Sequence, residues 1–260
     1  YESALLAPFS RRFRNRWQQR NLSLTIQGVY RNCIMTSDRR FMLIKNSKAG
    51  CTSLAALLEE YSTGELVVFD DIHLHRHGVF QGPYDWRMFE LGFASERTTC
   101  FSFVRNPVSR LVSCFSDFFV DLKNGDTNQH LPPMEDRGFE LTSSVDRNFE
   151  VFVDYVAESI ADAPDICNRH WREQVCNLGF GHVTLDFIGK LETYEKDLQN
   201  LFEVQGERAF LERSKSWRRQ FNTSAKTDVS ISDATRRKIL RVYARDCEAF
   251  GTKLSDVSAY

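Results

Sequence analysis

Phe41-Met42-Leu43-Ile44-Lys45-Asn46-Ser47-Lys48-Ala49-Gly50-Cys51-Thr52-Ser53-Leu54 is the stretch on which the fold turns. Four apolar residues in a row, Phe41 to Ile44, read as a short strand buried on both faces, since a strand with one wet face would alternate. The run stops at a polar turn, Lys45 to Gly50. From Thr52 a helical period takes over: Leu54, Leu57, Leu58 and Tyr61 recur at i, i+3, i+4 and i+7, and Gly64 is a natural stop. In a parallel sheet such a loop lies at the carboxyl end of its strand, where helix N-terminal amides attract anions.

The same unit recurs downstream. Leu66 to Phe69 reads as a strand followed by a histidine-rich turn, His73-Leu74-His75-Arg76-His77-Gly78. Cys100-Phe101-Ser102-Phe103-Val104 is a second strong strand ending at Arg105-Asn106-Pro107, and Pro107 suits the first turn of a helix. That helix carries Val108, Leu111, Val112, Phe115 and Phe119 on one face and Ser109, Ser113 and Ser116 on an adjacent stripe. Asn124 to Ser144 is polar and reads as a long surface excursion. Phe149, Phe152, Val153, Val156 and Ile160 mark another amphipathic helix, Val183 to Ile188 a further strand, and Leu198, Leu201 and Phe202 the helix after it. The last helix has Ser232 as its N-cap and ends at Gly251. Alternating strands and helices imply an α/β fold, a mostly parallel central sheet flanked by helices, in a single domain over 1–260 with an N-terminal arm or helix at 1–40 and a core at 41–251.

A formal net charge of −1 over 260 residues argues against a globally basic surface of the kind that holds nucleic acid, so an anionic ligand must meet a local site. No stretch is long and apolar enough to span a membrane. The seven cysteines include no Cys-x-x-Cys pair, which disfavours zinc or redox chemistry.

Lys48 to Ser53 has the logic of a phosphate-binding loop. Gly50 lets the backbone approach a phosphate, Thr52 and Ser53 offer hydroxyls, and Lys48 adds charge to the positive end of the helix. The Walker pattern is absent, because there is one glycine and the lysine precedes it, and this disfavours a nucleotide kinase. Arg105 lies at the end of a neighbouring strand, with Ser113 on the stripe behind it. Two anion-binding elements suit a ligand with phosphates at both ends.

These residues resemble the sulfotransferases that use 3'-phosphoadenosine-5'-phosphosulfate (PAPS), in particular the carbohydrate sulfotransferase branch with its Golgi members and bacterial relatives. Lys48-Ala49-Gly50-Cys51-Thr52-Ser53 is similar to the 5'-phosphosulfate loop, and Arg105-Asn106-Pro107-Val108-Ser109-Arg110-Leu111-Val112-Ser113 to the 3'-phosphate motif. His170-Trp171, Asp186 to Glu192, Tyr243-Ala244-Arg245-Asp246 and Phe250-Gly251 resemble further landmarks in the same order. Ser47 and Asn106 depart from the family's usual Pro and Asp, without removing a donor group.

The resemblance implies PAPS as the donor, held by Lys48, Ala49, Gly50, Cys51, Thr52, Ser53, Arg105 and Ser113, with Lys48 also catalytic and no metal required. The acceptor it implies is hydroxylated, a carbohydrate or another small molecule. The general base is expected in the turn after the second strand: His75 first, then His73, then His77, since an imidazole titrates near working pH. His170 and Trp171 either line the acceptor pocket or pack. Asp186 and Glu192 read as residues that fix strand and helix geometry. The Arg218, Arg219, Asn222, Ser224 and Lys226 loop resembles one that folds over the nucleotide, and the spacing of Cys167 and Cys176 a bridge of some lumenal members. Near-neutral charge and the lack of an anchor point to a soluble, cytoplasmic, bacterial-type enzyme, the alternative being the Golgi lumen with the anchor removed. The rival functions are a nucleotide kinase-like phosphotransferase and a non-catalytic nucleotide- or glycan-binding module on a degenerate fold.

Overall fold

A computed structural model of the protein describes residues 20–66, 79–81, 86–217 and 228–251. In chain order the elements are α1 (Leu24–Asn32), β1 (Cys33–Met35), β2 (Phe41–Ile44), α2 (Cys51–Thr63), β3 (Phe80–Gln81), α3 (Trp86–Phe93), β4 (Thr99–Val104) and α4 (Pro107–Phe115), which continues as a π-helix over Ser116–Val120. There follow α5 (Thr127–Glu135), α6 (Val145–Asp162), α7 (Gln174–Leu178), β5 (Phe187–Lys190), α8 (Tyr194–Val204), α9 (Arg208–Arg213), α10 (Asp233–Val242) and α11 (Ala244–Phe250). This α/β chain divides into two compact units, one of Tyr1–Asn46, Gly50–Phe103 and Asn177–Phe221, the other of Ser47–Ala49, Val104–Cys176 and Asn222–Tyr260.

The first unit is built on the sheet, in the order β3-β1-β2-β4-β5. β2 and β4 pair in parallel, with Met42 opposite Cys100, as two successive strand-loop-helix units require. β1 extends the sheet antiparallel to β2 and to β3, an addition N-terminal to the core boundary expected at residue 41. Phe41, Leu43, Phe101 and Phe103 bury against Leu54, Leu57 and Leu58 of α2 and Leu198, Leu201 and Phe202 of α8. Each such side chain contributes about 1.5–3 kcal/mol on burial, so α2 is held by its apolar face more than by propensity. Alternation turns Met42 to the opposite face. There α3 comes so near that a Cβ on Gly92 would stand 2.9 Å from the Met42 sulfur.

The strand expected over Val183–Ile188 begins only at Phe187. Asp186 pins the junction: its amide donates to the Cys100 carbonyl at 2.7 Å, and its carboxylate accepts the Cys100 amide at 2.8 Å. This is the geometric role read for Asp186. Of the strand expected over Leu66–Phe69, residues 67–69 lie outside the described residues.

The second unit packs α4 and the π-helix against α6. Val108, Leu111, Phe115, Phe118 and Phe119 meet Phe149, Phe152 and Val156, with Trp171, Ile239 and Tyr243. Asn106 caps α4 by accepting the Val108 amide at 2.9 Å, one residue before Pro107. Residues 124–144, expected as an irregular excursion, instead contain α5, which has Pro132 and Pro133 inside it. The burial of Met134 in the core, with a bond from Thr127 Oγ1 to the Phe118 carbonyl at 3.1 Å, sustains a helix that its prolines disfavour. The single C-terminal helix expected from Ser232 to Gly251 breaks at Tyr243, whose buried hydroxyl donates to the Trp171 carbonyl at 2.5 Å.

Candidate active site

Two left-handed residues shape the loop between β2 and α2, Lys48 at φ 64° and Gly50 at φ 79°. At Gly50 a side chain would be strained, and a Cβ would meet Leu191 Cδ1 at 3.1 Å. The loop hands the chain to Cys51, Thr52 and Ser53 at the positive end of the α2 dipole. Lys48 has no such freedom, and its left-handed backbone costs about 1–2 kcal/mol. Strain of that kind persists where the surroundings over-determine it.

Those surroundings belong to the second unit. The Lys48 carbonyl accepts from Arg105 Nη1 at 3.3 Å, and the Ser47 carbonyl accepts from Arg110 Nε at 3.0 Å. Lys48 Nζ lies 2.5 Å from Asp117 Oδ2, both side chains being largely buried. Two elements that the sequence separates by 57 residues, the lysine loop and the Arg105 motif, thus meet at a hydrogen bond.

Arg105 is fixed in turn. Its amide donates to Gln174 Oε1 at 2.9 Å, its carbonyl accepts from Gln174 Nε2 at 2.9 Å, and its Nε donates to Ser109 Oγ at 3.1 Å. Gln174 is held by the buried Asp246, which accepts the Gln174 and Val175 amides at 2.9 Å each. Burial raises the Asp246 carboxyl above its usual range, while Arg110 and these amides oppose the rise. Ser109, on the stripe expected to bind, is therefore the arginine's partner. Ser113 lies one turn further on the same stripe and is partly buried.

Three residues that the sequence reading left without a role organise this region. Arg110 is 1% exposed, and besides Ser47 it donates through Nη1 to the Arg172 carbonyl at 2.9 Å and through Nη2 to the Arg169 carbonyl at 3.2 Å. One guanidinium therefore joins the lysine loop to the turn that carries His170. Asp117 continues the serine stripe, since 109, 113 and 117 are four apart, and that spacing was a legible signal. Asn168 had none. Its Oδ1 is 2.8 Å from His170 Nδ1, and its Nδ2 is 2.9 Å from His130 Nε2.

His170 packs edge-on against Phe118 at 5.2 Å. Burial, and then the charges of Arg169, Lys48 and Arg110 with His130, lower its pKa to about 2. Trp171 is fully buried in the core, so the packing reading holds for it. Cys167 and Cys176 are both free thiols. His73, His75 and His77, like Arg218, Arg219, Asn222, Ser224 and Lys226, lie outside the described residues.

The sulfotransferase family model matches residues 31–252. Carbohydrate sulfotransferase 12 of Mus musculus is 26% identical over 172 residues, which covers 60% of this chain and 40% of that protein. Its Xenopus laevis counterpart is 26% identical over 170 residues, with the same shares covered. Carbohydrate sulfotransferase 11 of Mus musculus is 26% identical over 156 residues, 56% of this chain and 44% of the relative. The match thus spans less than half the length of these relatives. No solved structure matches the chain significantly. The vertebrate relatives overturn the bacterial-type, cytoplasmic placement. That expectation leaned on net charge, which bears on solubility and non-specific binding and carries no compartment label.

Proposed function

This chain belongs to the sulfotransferase family, and from that premise we propose that it moves a sulfuryl group from PAPS to a hydroxyl of a glycan, releasing 3'-phosphoadenosine-5'-phosphate, in the Golgi lumen. The glycan class follows the relatives, which are carbohydrate sulfotransferases. The observation that carries the reading is the bond from Arg105 Nη1 to the Lys48 carbonyl, because it joins the two anion-binding elements that a donor with two phosphate ends requires.

The donor set fits such a polyanion. Lys48 and Arg105 supply fixed charge, Gly50 supplies a backbone with no side chain in the way, and α2 presents its positive end at Cys51. Ala49, Cys51, Thr52 and Ser53 complete the loop on the 5' side, and Arg105 with Ser113 takes the 3'-phosphate. PAPS supplies the activated sulfuryl group when bound. Lys48 holds a preorganised positive charge for the phosphate oxygen that becomes more negative as sulfur leaves it. Asp117 keeps that ammonium in place until an anion competes for it. The proton of the acceptor hydroxyl passes to the histidine turn, His75 first, with His73 and His77 as its alternates.

The test is incubation with radiolabelled PAPS and a panel of desulfated polysaccharides and neutral oligosaccharides. Label should move to at least one glycan in the parent and not in Lys48→Ala. Binding of 3'-phosphoadenosine-5'-phosphate with no transfer to any acceptor would favour a binding module instead.

A further inference from the structure

Beside the lysine loop lies a chain of hydrogen bonds whose donors and acceptors can be assigned without ambiguity. It starts from a backbone amide. The His170 N–H donates to Asn168 Oδ1 at 3.0 Å, and since an amide N–H can only donate, that side-chain atom is the carbonyl oxygen. The same oxygen lies 2.8 Å from His170 Nδ1, so Nδ1 carries the proton. The other end of Asn168 is then its NH₂. It faces Asp126 Oδ2 at 3.4 Å, and it donates to His130 Nε2 at 2.9 Å. His130 in turn holds its proton on Nδ1, 2.8 Å from the Tyr155 hydroxyl. One asparagine therefore sets the tautomer of two imidazoles, and it leaves His170 with a bare lone pair on Nε2. Among the described residues, nothing is hydrogen-bonded to that nitrogen.

The position of this nitrogen follows from its anchors. Arg110 holds the carbonyls of Arg169 and Arg172, which flank His170, and the carbonyl of Ser47, which precedes Lys48. Phe118 lies against the His170 ring, and its neighbour Asp117 pairs with Lys48. The charged groups around the ring are Lys48, Arg110 and Arg169, with Asp117 paired to Lys48 and Asp126 against Asn168, and the neutral His130 stands behind Asn168. Burial, and then the cations on this side, keep the ring neutral. Trp171, the next residue, is committed to the core and cannot swing the turn away.

We propose that His170 Nε2 is the hydrogen-bond acceptor that holds the hydroxyl to be sulfated next to the Lys48 loop, with Asn168 and His130 as the positioning residues that keep it in that tautomer. A neutral imidazole with a fixed lone pair can take a hydrogen bond from a sugar hydroxyl and aim the oxygen. It makes a poor final proton acceptor, so the role complements the base assigned to the His73–His77 turn. The proposal rests on the sulfuryl-transfer reading, but its central claim about tautomer and orientation can be tested without turnover.

The decisive measurement is nitrogen-15 NMR of the imidazoles in the full chain, with and without 3'-phosphoadenosine-5'-phosphate, from pH 5 to 8. His170 is expected to stay neutral throughout, with a protonated Nδ1 and a pyridine-like Nε2. In Asn168→Leu that single tautomer should give way to a mixture. A protonated Nε2 in the parent, or titration of His170 near the ordinary imidazole range, overturns the proposal. The second arm is kinetic, using whichever glycan of the panel above accepts label. His170→Ala should lower kcat/KM for the glycan roughly ten- to a hundredfold, the effect of losing one hydrogen bond at a desolvated site. Binding of 3'-phosphoadenosine-5'-phosphate should stay within about twofold of the parent, that fold-change being under 0.5 kcal/mol. His170→Gln, which puts an amide near the position of Nε2, should recover part of the loss, and His170→Asn should not. Equal loss in the glutamine and asparagine variants, or unchanged kcat/KM in all three, refutes the role. If the panel yields no acceptor at all, the sulfuryl-transfer reading fails, and the NMR arm still decides the tautomer.

Discussion

Replacing Arg110 with lysine separates the two properties of this buried side chain, its charge and its fork. The guanidinium satisfies three carbonyls, those of Ser47, Arg169 and Arg172, from a position that is 1% exposed. An ammonium on a shorter reach satisfies one of the three, so two buried carbonyls lose a charge-assisted bond. At about 1–1.5 kcal/mol each, the upper part of the range for an ordinary hydrogen bond and a conservative figure for a charged donor, the cost is roughly 2–3 kcal/mol. For a chain of this size 1 kcal/mol moves the midpoint by about 2–4 °C, so Tm should fall by roughly 4–12 °C in calorimetry. Function should suffer more than fold, because two of the three carbonyls flank His170 and the third precedes Lys48, so at least one of these segments is loosened. In Arg110→Lys at a temperature where the variant is fully folded, turnover should drop at least tenfold. A Tm within 2 °C of the parent, at the resolution of about 1 kcal/mol, would show that the fork is not what holds these segments. Arg110→Met, which keeps volume and removes all the donors, should fall further on both counts.

Four other outcomes are expected. Lys48→Ala should cut turnover about 10²–10³-fold while 3'-phosphoadenosine-5'-phosphate binding weakens much less, because the charge matters most in the transition state; equal turnover would remove Lys48 from the chemistry. Arg105→Ala should cost about 2–5 kcal/mol of affinity for the 3'-phosphorylated nucleotide and far less for AMP, by calorimetry, if the arginine meets the 3'-phosphate. Gly50→Ala should destabilise by at least about 1 kcal/mol in denaturant titration, given its left-handed φ of 79° and the 3.1 Å approach of Leu191. Acidification should destabilise through His170: its folded pKa of about 2 lies below the ordinary 6.5, so the unfolded chain binds the extra proton between those values. The contribution is therefore fully present above about pH 6.5 and is lost progressively as the pH falls below it. The difference in Tm between pH 7 and pH 5 should shrink in His170→Gln.

Much of this was readable before any coordinates. The β2-α2 and β4-α4 units announce themselves because the signals are local: an apolar run, then Gly50 or the Asn106-Pro107 pair, then a helical period. Cap and punctuation agree with pattern at both places. What escaped the sequence depends on distant partners. Cys33–Met35 is three residues long and becomes a strand only because Ile34 finds Leu43 across the hairpin. Pro132 and Pro133 speak against a helix, and the partner that overrules them, the core around Met134, is assembled from α4 and α6. Val183 has the composition of a strand, yet it makes only an isolated bridge to Phe180, and the strand begins at Phe187, after Asp186 has bonded Cys100 through both its amide and its carboxylate. At the site, Lys48, Arg105 and Ser113 stand out in the sequence as candidate phosphate ligands, and the structure brings the backbone of Lys48 to the Arg105 side chain. Arg110 stands inside the 3'-phosphate motif with no role legible from the sequence, and only the carbonyls of three remote residues show why it is buried. Asn168 is two residues from His170, too near to look like a partner and too common a residue type to stand out.

The π-helix at Ser116–Val120 carries a consequence for anyone comparing or redesigning these chains. The Asp121 amide reaches back five residues to the Ser116 carbonyl at 2.7 Å, so this turn holds one residue more than an α-turn would. Removing any single residue between Asp117 and Val120 would restore ordinary helical winding without shortening the apolar pattern noticeably. The flanking helix would keep its register, because the deletion takes out the residue that the wider turn accommodates, but the side chains inside the turn would be redistributed about the axis. Asp117 could then no longer face Lys48 while Phe119 stayed in the core. A one-residue gap at this point in a homologue would mark a different grip on the lysine, even where every motif residue is intact, and an alignment scored on identity alone would pass over it.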